Sequence, residues 1–258
     1  ACAIMKNVMK AKLKTGAPVI GFQIMGNWVE IVEIVGLLGS DFVFLDGEHG
    51  ALGLPEIAGL VRAAECVGIT PIARVPRNAP DVILRYLDIG VQGIIVPNVN
   101  SREEAERAVK AVKYYPLGER GCGYGHSMDY SLNQPFAEHV KEANRETMVI
   151  TQCEAKEGLD NLEEIVKVPG IDIIFIGPGD LSQSLGVPGQ LDHPSVQEAI
   201  ARAKKIVLAS GKYLGMVGWD GDYARDAIAE GARFINMSVH ALMAKAIKEY
   251  LSTARAED

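Results

Sequence analysis

The chain has 258 residues, of which 48% are hydrophobic and 23% charged, a size and balance that suit one globular domain spanning 1–258. A formal net charge of −7, with no run of Lys or Arg longer than a pair, argues against nucleic acid or another acidic polymer as a partner. Apolar runs such as Ile94–Val96 fall far short of the roughly 20 residues a membrane span needs, so no membrane partner is expected.

The first fourteen residues carry Lys6, Lys10, Lys12 and Lys14 without a continuous apolar stretch, and predict an amphipathic first helix instead of a secretory signal. Short β-rich runs then recur at 18–24, 42–46, 71–75, 92–96, 148–152, 172–176, 213–217 and 233–237. They are nearly continuously apolar, as expected of parallel strands covered on both faces. Stretches with helical spacing alternate with them at 28–38, 54–67, 80–87, 102–112, 161–166, 194–209, 223–229 and 241–251. Eight βα units in this length predict a (β/α)8 TIM barrel. An open doubly wound sheet is the alternative, weakened because no Gly-x-Gly-x-x-Gly follows the first strand.

Residues 114–147 break the rhythm, with Gly118, Gly121, Gly123, Gly125 and Pro135 spread through them. A long irregular segment usually serves function, so it is expected near the catalytic mouth, or in part as a short helix at a subunit interface. Cys2, Cys66, Cys122 and Cys153 are scattered, without metal-binding spacing. They predict reduced thiols in a cytoplasmic protein, each a small buried hydrophobe.

Reactive groups of such a barrel sit at the carboxyl ends of its strands, so the polar residues closing each apolar run are the informative ones. These are Gln23, then Asp46, Glu48 and His49, then Arg74, Gln152 with Glu154, and Asp180. Glu154 and Asp180 follow adjacent strands and offer hard oxygen ligands for a divalent metal such as Mg²⁺, Mn²⁺ or Co²⁺. Asp180 is equally well placed to cap a helix beginning near Leu181. His49 suits a general base, or a plain loop histidine, the reading also given to His126, His139, His193 and His240. Arg74 can hold a carboxylate or polarise a carbonyl, or form a structural ion pair inside the barrel. Gly177-Pro178-Gly179 turns backbone N–H groups toward an anion.

The segments Phe42-Val-Phe-Leu-Asp-Gly-Glu-His49, Ala73-Arg-Val-Pro76, Leu87-Asp-Ile-Gly90, Gly93-Ile-Ile-Val-Pro97, Gly118-Glu-Arg-Gly121, Gln152-Cys-Glu154 and Phe175-Ile-Gly-Pro-Gly-Asp-Leu-Ser182 resemble the HpcH/HpaI aldolase family. That family includes 4-hydroxy-2-oxo-heptane-1,7-dioate aldolase and 2-keto-3-deoxy sugar acid aldolases. The resemblance implies a metal held by Glu154 and Asp180, with Arg74 steadying the pyruvyl carbonyl and enolate and Gln152 lining the pyruvyl pocket. It further implies that His49 is the acid/base group, Asp88 the aspartate paired with it, and Asp46 a second carboxylate at the strand end. A C-terminal helix exchanged between subunits and a hexamer built as a trimer of dimers are expected on the same ground. Gly179 stands where many members have Ala, and the Cys122–Tyr130 segment departs from the family's continuation, which places the acceptor pocket in question.

The reaction so implied is reversible, metal-dependent aldol cleavage of a 4-hydroxy-2-oxo acid to pyruvate and an aldehyde, a carbon-carbon lyase activity on small molecules. A Schiff-base aldolase would need a lysine in the barrel, and only Lys156 lies close behind a strand end. Citrate lyase-like cleavage of a CoA thioester would need a basic groove, and a catalytically lapsed binding barrel would have no reason to keep this set of polar groups.

Overall fold

The computed structural model describes residues 6–255; Cys2 and the first part of the predicted N-terminal helix lie outside the described residues. Eight parallel strands run β1 (Val19–Ile24), β2 (Phe42–Asp46), β3 (Thr70–Arg74), β4 (Gly93–Val96), β5 (Met148–Cys153), β6 (Ile173–Ile176), β7 (Tyr213–Val217) and β8 (Phe234–Ser238). They pair in chain order and β8 pairs back onto β1, closing a barrel with the (β/α)8 topology.

The helices are α1 (Val8–Lys14), α2 (Val29–Leu37), α3 (Leu54–Val67), α4 (Pro80–Asp88), α5 (Arg102–Val112), α6 (Phe136–Glu146), α7 (Lys156–Asp160), α8 (Leu162–Ile165), α9 (Pro178–Ser184), α10 (Pro194–Ser210), α11 (Gly221–Ala229) and α12 (Val239–Arg255). Strand ends fall within a residue or so of the periodic runs. The helix predicted at 161–166 is shorter, and α7 precedes it as a separate turn that the pattern did not reveal.

Period-two alternation sends each strand's side chains to two different cores. Val43, Leu45, Ala73, Ile94, Val149 and Ile174 face outward onto the helices. Phe42, Phe44, Ile72, Ile95, Ile150, Ile173, Phe175 and Phe234 fill the barrel interior. Met9 and Leu13 of α1 join this inner core, so α1 plugs the end of the barrel at which the strands begin. Asn7 fixes the plug, its Nδ2 donating to the carbonyls of Gln92 and Glu146 at 3.2 and 3.1 Å.

The 114–147 segment corrects the sequence expectation. It leaves the end of α5 and enters the start of β5, so it lies at the N-terminal end of the barrel, away from the mouth. It is not irregular throughout, since α6 and a 3₁₀ turn at His126–Ser131 occupy much of it. Lys113 Nζ donates to the carbonyls of Asn144 and Thr147, and Asn144 in turn bridges the backbone of Tyr114. Arg120 is buried, reaches Asp88 at the end of α4 at 3.0 Å and lies 4.6 Å from the Tyr114 ring centroid. Arg120→Ala is therefore expected to lower stability by roughly 2–4 kcal/mol, because it strands a carboxylate and removes packing. Denaturant unfolding measures the loss, and limited proteolysis should show new cleavage between 121 and 135.

The remaining histidines divide. His126 pairs with Glu65 at 2.8 Å, His193 caps α10 and His240 packs against Trp28. His139 is buried among aromatic rings instead of facing solvent. Of the three described cysteines only Cys153 is buried; Cys66 on α3 and Cys122 in the Gly-rich stretch are exposed, against expectation.

Candidate active site

β2 ends on Asp46, which is fully buried and carries the densest polar network of the mouth. Its carboxylate accepts from Arg74 Nε at 3.0 Å and Nη2 at 2.5 Å, from Gln23 Nε2 at 2.6 Å, and from the backbone N–H groups of Glu48 and His49. Burial alone would push this carboxyl up, but the hydrogen bonds and charge of Arg74, with the two backbone donors, hold it below the ordinary range. Asp46 therefore sets the direction of Arg74 and the shape of the turn that carries His49. In this geometry it is a positioning group.

Arg74 closes β3 with its guanidinium carbon 5.4 Å from the Phe44 ring centroid, Nε 3.2 Å from Glu48 and Nη1 3.4 Å from Gln152 Oε1. Gln152 Nε2 then donates to Glu154 Oε2 at 2.6 Å, and the backbone N–H of Asn98 donates to Glu154 Oε1 at 2.8 Å. A chain of contacts thus runs from Asp46 through Arg74 and Gln152 to Glu154, across β2, β3 and β5. Gly177, after β6, makes room for it: a Cβ there would lie 2.9 Å from both the Glu154 Cβ and Oε2.

Glu154 is 3% exposed. Burial first, then the nearby charges of Asp180 and Glu48, raise its carboxyl to about 7 against the pull of the Asn98 N–H and of Arg74. Burial likewise pushes Glu48 up, opposed by Arg74 and His49. Asp180 is exposed in the first turn of α9, whose N-cap position belongs to Gly177, with no side chain capping the helix. The capping alternative is therefore not the arrangement seen.

The mouth brings Asp46, Glu48, Glu154 and Asp180 near one another beside one guanidinium, that of Arg74, which is paired with Asp46 and Glu48. A buried carboxylate whose ionisation is resisted by two acidic neighbours suits a divalent cation, and carboxylate oxygens are the ligands that Mg²⁺ or Mn²⁺ prefers. Glu154 and Asp180 fit as ligands on that ground. Among the described residues no group of three or more His, Cys, Asp or Glu side chains is arranged to hold a metal. The remaining positions would fall to water and substrate.

Beside these groups lies a cavity of about 270 Å³ whose lining includes Arg74, Gln152, Gly177, Pro178, Gly179 and Asp180. Its far wall, formed by Gln23, Val217, Trp219, Asn236 and Ser238, was not legible as part of the site apart from Gln23. The missed signal is an Asn inside the apolar run at β8. No lysine lines this cavity, and Lys156 is exposed on α7 with Nζ 2.6 Å from Asp160. The lysine a Schiff base would need is directed elsewhere.

His49 is exposed on its loop at the mouth, with Nε2 3.8 Å from Glu48. Its expected pairing with Asp88 is not made within the chain. Asp88 ends α4, just before β4 begins, and therefore stands at the opposite end of the barrel, held by Arg120.

The family model for HpcH/HpaI aldolase/citrate lyase matches residues 20–245. The chain is 32% identical over 241 residues to 2-keto-3-deoxy-L-rhamnonate aldolase of Escherichia coli (strain K12), covering 93% of this chain and 90% of that enzyme. Its fold is similar to the crystal structure of an HpcH/HpaI aldolase from Desulfitobacterium hafniense DCB-2, with TM-score 0.90, 31% identity, and coverage of 95% of this chain and 96% of that one. It is also similar to the citrate synthase SbnG, with TM-score 0.88 and 31% identity over 98% of this chain and 99% of that one.

Proposed function

The chain belongs to the HpcH/HpaI aldolase/citrate lyase family, and from that membership we propose that it is a carbon-carbon lyase cleaving a 4-hydroxy-2-oxo acid reversibly to pyruvate and an aldehyde. The observation that carries this reading is the continuous network Asp46–Arg74–Gln152–Glu154 beside an open cavity that also presents Asp180. Glu154 and Asp180 would hold a divalent metal, which would supply Lewis-acid stabilisation of negative charge on the keto oxygen.

The protein's own groups do the rest. Arg74, held rigid by Asp46, places a second positive charge where the enolate oxygen forms, already oriented before reaction. Gln152 spans Arg74 and Glu154 and fixes the edge of the pyruvyl pocket, while Gly177, Pro178 and Gly179 form its side. His49, exposed on the loop after β2, is the group available to take the proton of the C4 hydroxyl, directly or through one water. Asp88 joins this chemistry only if a second copy of the chain brings it to the mouth.

Such an assembly, and with it the expected helix exchange and hexamer, accords with α12. Val239 is its only buried residue, and Leu242, Met243, Ile247 and Leu251 stand exposed. The widely scattered thiols suit the reducing cytoplasm. The described residues contain no helix long and apolar enough to cross a membrane.

Treatment with EDTA is expected to abolish pyruvate release from 4-hydroxy-2-oxo acids, and added Mn²⁺, Mg²⁺ or Co²⁺ to restore it. Pyruvate with borohydride should leave no adduct on the protein. Activity that survives chelation, or a reduced adduct on Lys156, would count against the metal route.

A further inference from the structure

Along β8 the residues Phe234, Asn236 and Ser238 share the inward face, by period-two alternation from the buried Phe234. Phe234 stacks on Phe42 at 4.6 Å and meets Phe175 edge-on at 5.5 Å, which makes an aromatic floor. Asn236 stands one step above that floor, 3% exposed, and lines the mouth cavity. Its register neighbours are Gly21 on β1 and Val217 on β7, neither with a polar side chain. The Asn236 Oδ1 is buried and accepts no hydrogen bond. Native proteins seldom leave a buried acceptor without a donor, so an unpaired one on a cavity wall calls for a donor from a ligand or a water.

The two sides of the cavity differ in charge. Arg74 and Asp180 stand on one side, whereas the β7, β8 and β1 wall is neutral and includes Val217, Trp219, Asn236, Ser238 and Gln23. Gln23 is already committed to Asp46 at 2.6 Å. An alkyl group brought to that wall leaves the acceptor desolvated. A hydroxyl satisfies it.

We infer that Asn236 is a specificity-determining residue whose Oδ1 accepts a hydrogen bond from a hydroxyl on the aldehyde-derived part of the substrate, so that hydroxylated tails are selected over alkyl ones. The inference rests on the aldol reaction proposed above. It moves acceptor recognition within one chain from the Cys122–Tyr130 segment, at the far end of the barrel, to the β8 wall.

Glycolaldehyde and propanal differ by a hydroxyl in place of a methyl, and each can be added to pyruvate by the Mg²⁺-loaded full chain. The wild type should favour glycolaldehyde in kcat/KM by tenfold or more. In Asn236→Leu the ratio should fall to about one or two through loss with glycolaldehyde, and the melting temperature of the metal-free variant should match or exceed that of the wild type. A residue needed only for folding would lower the melting temperature and reduce both substrates alike, which would overturn the assignment. So would a wild-type ratio near one, the result expected if a bound water satisfies Oδ1; this measurement needs no variant. Exchange of the pyruvate methyl protons into deuterated water, followed by NMR, requires no aldehyde. Its absence in the wild type would refute the aldol reading itself, whereas exchange with a ratio near one would refute only the role of Asn236.

Discussion

Arg74→Ala is expected to reduce kcat/KM for pyruvate release by about 10³-fold or more, combining the loss of a preorganised donor at the developing oxyanion with the loss of a full charge in a secluded site. The same change should destabilise the fold by about 3–5 kcal/mol, because it leaves Asp46 buried without its cation. Arg74→Lys separates the two effects. It retains a charge for Asp46 but cannot reproduce the fork that reaches Asp46, Glu48 and Gln152 together, so stability should recover more than activity. Steady-state kinetics with thermal melts on the two variants measure both. Pyruvate release by the Ala variant within tenfold of wild type would remove Arg74 from the chemistry.

The second large effect belongs to Glu154→Gln. Activity should fall by about 10³-fold or more, and Mn²⁺ should no longer raise the melting temperature, since a charged ligand has become a neutral one. The metal-free variant should nonetheless be more stable than the wild type at neutral pH and above. Burial lifts the Glu154 carboxyl from 4.5 to about 7, so the folded protein holds a proton that the unfolded chain has released. Stability of the metal-free wild type therefore declines as pH rises from about 4.5 to about 7, and the full penalty persists above that. Glutamine removes a penalty on the order of 3 kcal/mol at pH 8 and keeps the oxygen that accepts from Asn98 N–H, but it sets an amide nitrogen against the Gln152 Nε2 donor, so the net gain is smaller than that penalty and disappears below pH 4.5. Melting curves of both proteins in chelator across this pH range provide the comparison. A wild type whose metal-free stability is flat from pH 5 to 8 would contradict the described environment of Glu154.

Both variants act on residues visible as polar endings of apolar runs. The reason is geometric: in a parallel barrel covered on both faces, the strand interior tolerates few polar groups, so those that close a strand stand out. Asp46, Arg74, Gln152 and Glu154 were legible for that reason. Asn236 was not, because its run reads as an ordinary strand until the inward parity of Phe234 is known. Asn98 contributes a backbone N–H, which no side-chain pattern reveals.

The chain's own order of apolar and helical periods determined the eightfold barrel, its strand ends and the polar residues at the mouth, because each of these is a local property of a strand or helix. Only the tertiary structure decided which end of the barrel each connection occupies. That placed the 114–147 segment and Asp88 opposite His49, since a connection from a helix to a strand must return to the end at which strands begin. Tertiary structure alone likewise set Glu154 beside the carboxylates of Asp180 and Glu48 and left Asn236 Oδ1 without a donor, since burial and through-space charge depend on elements far apart in the chain.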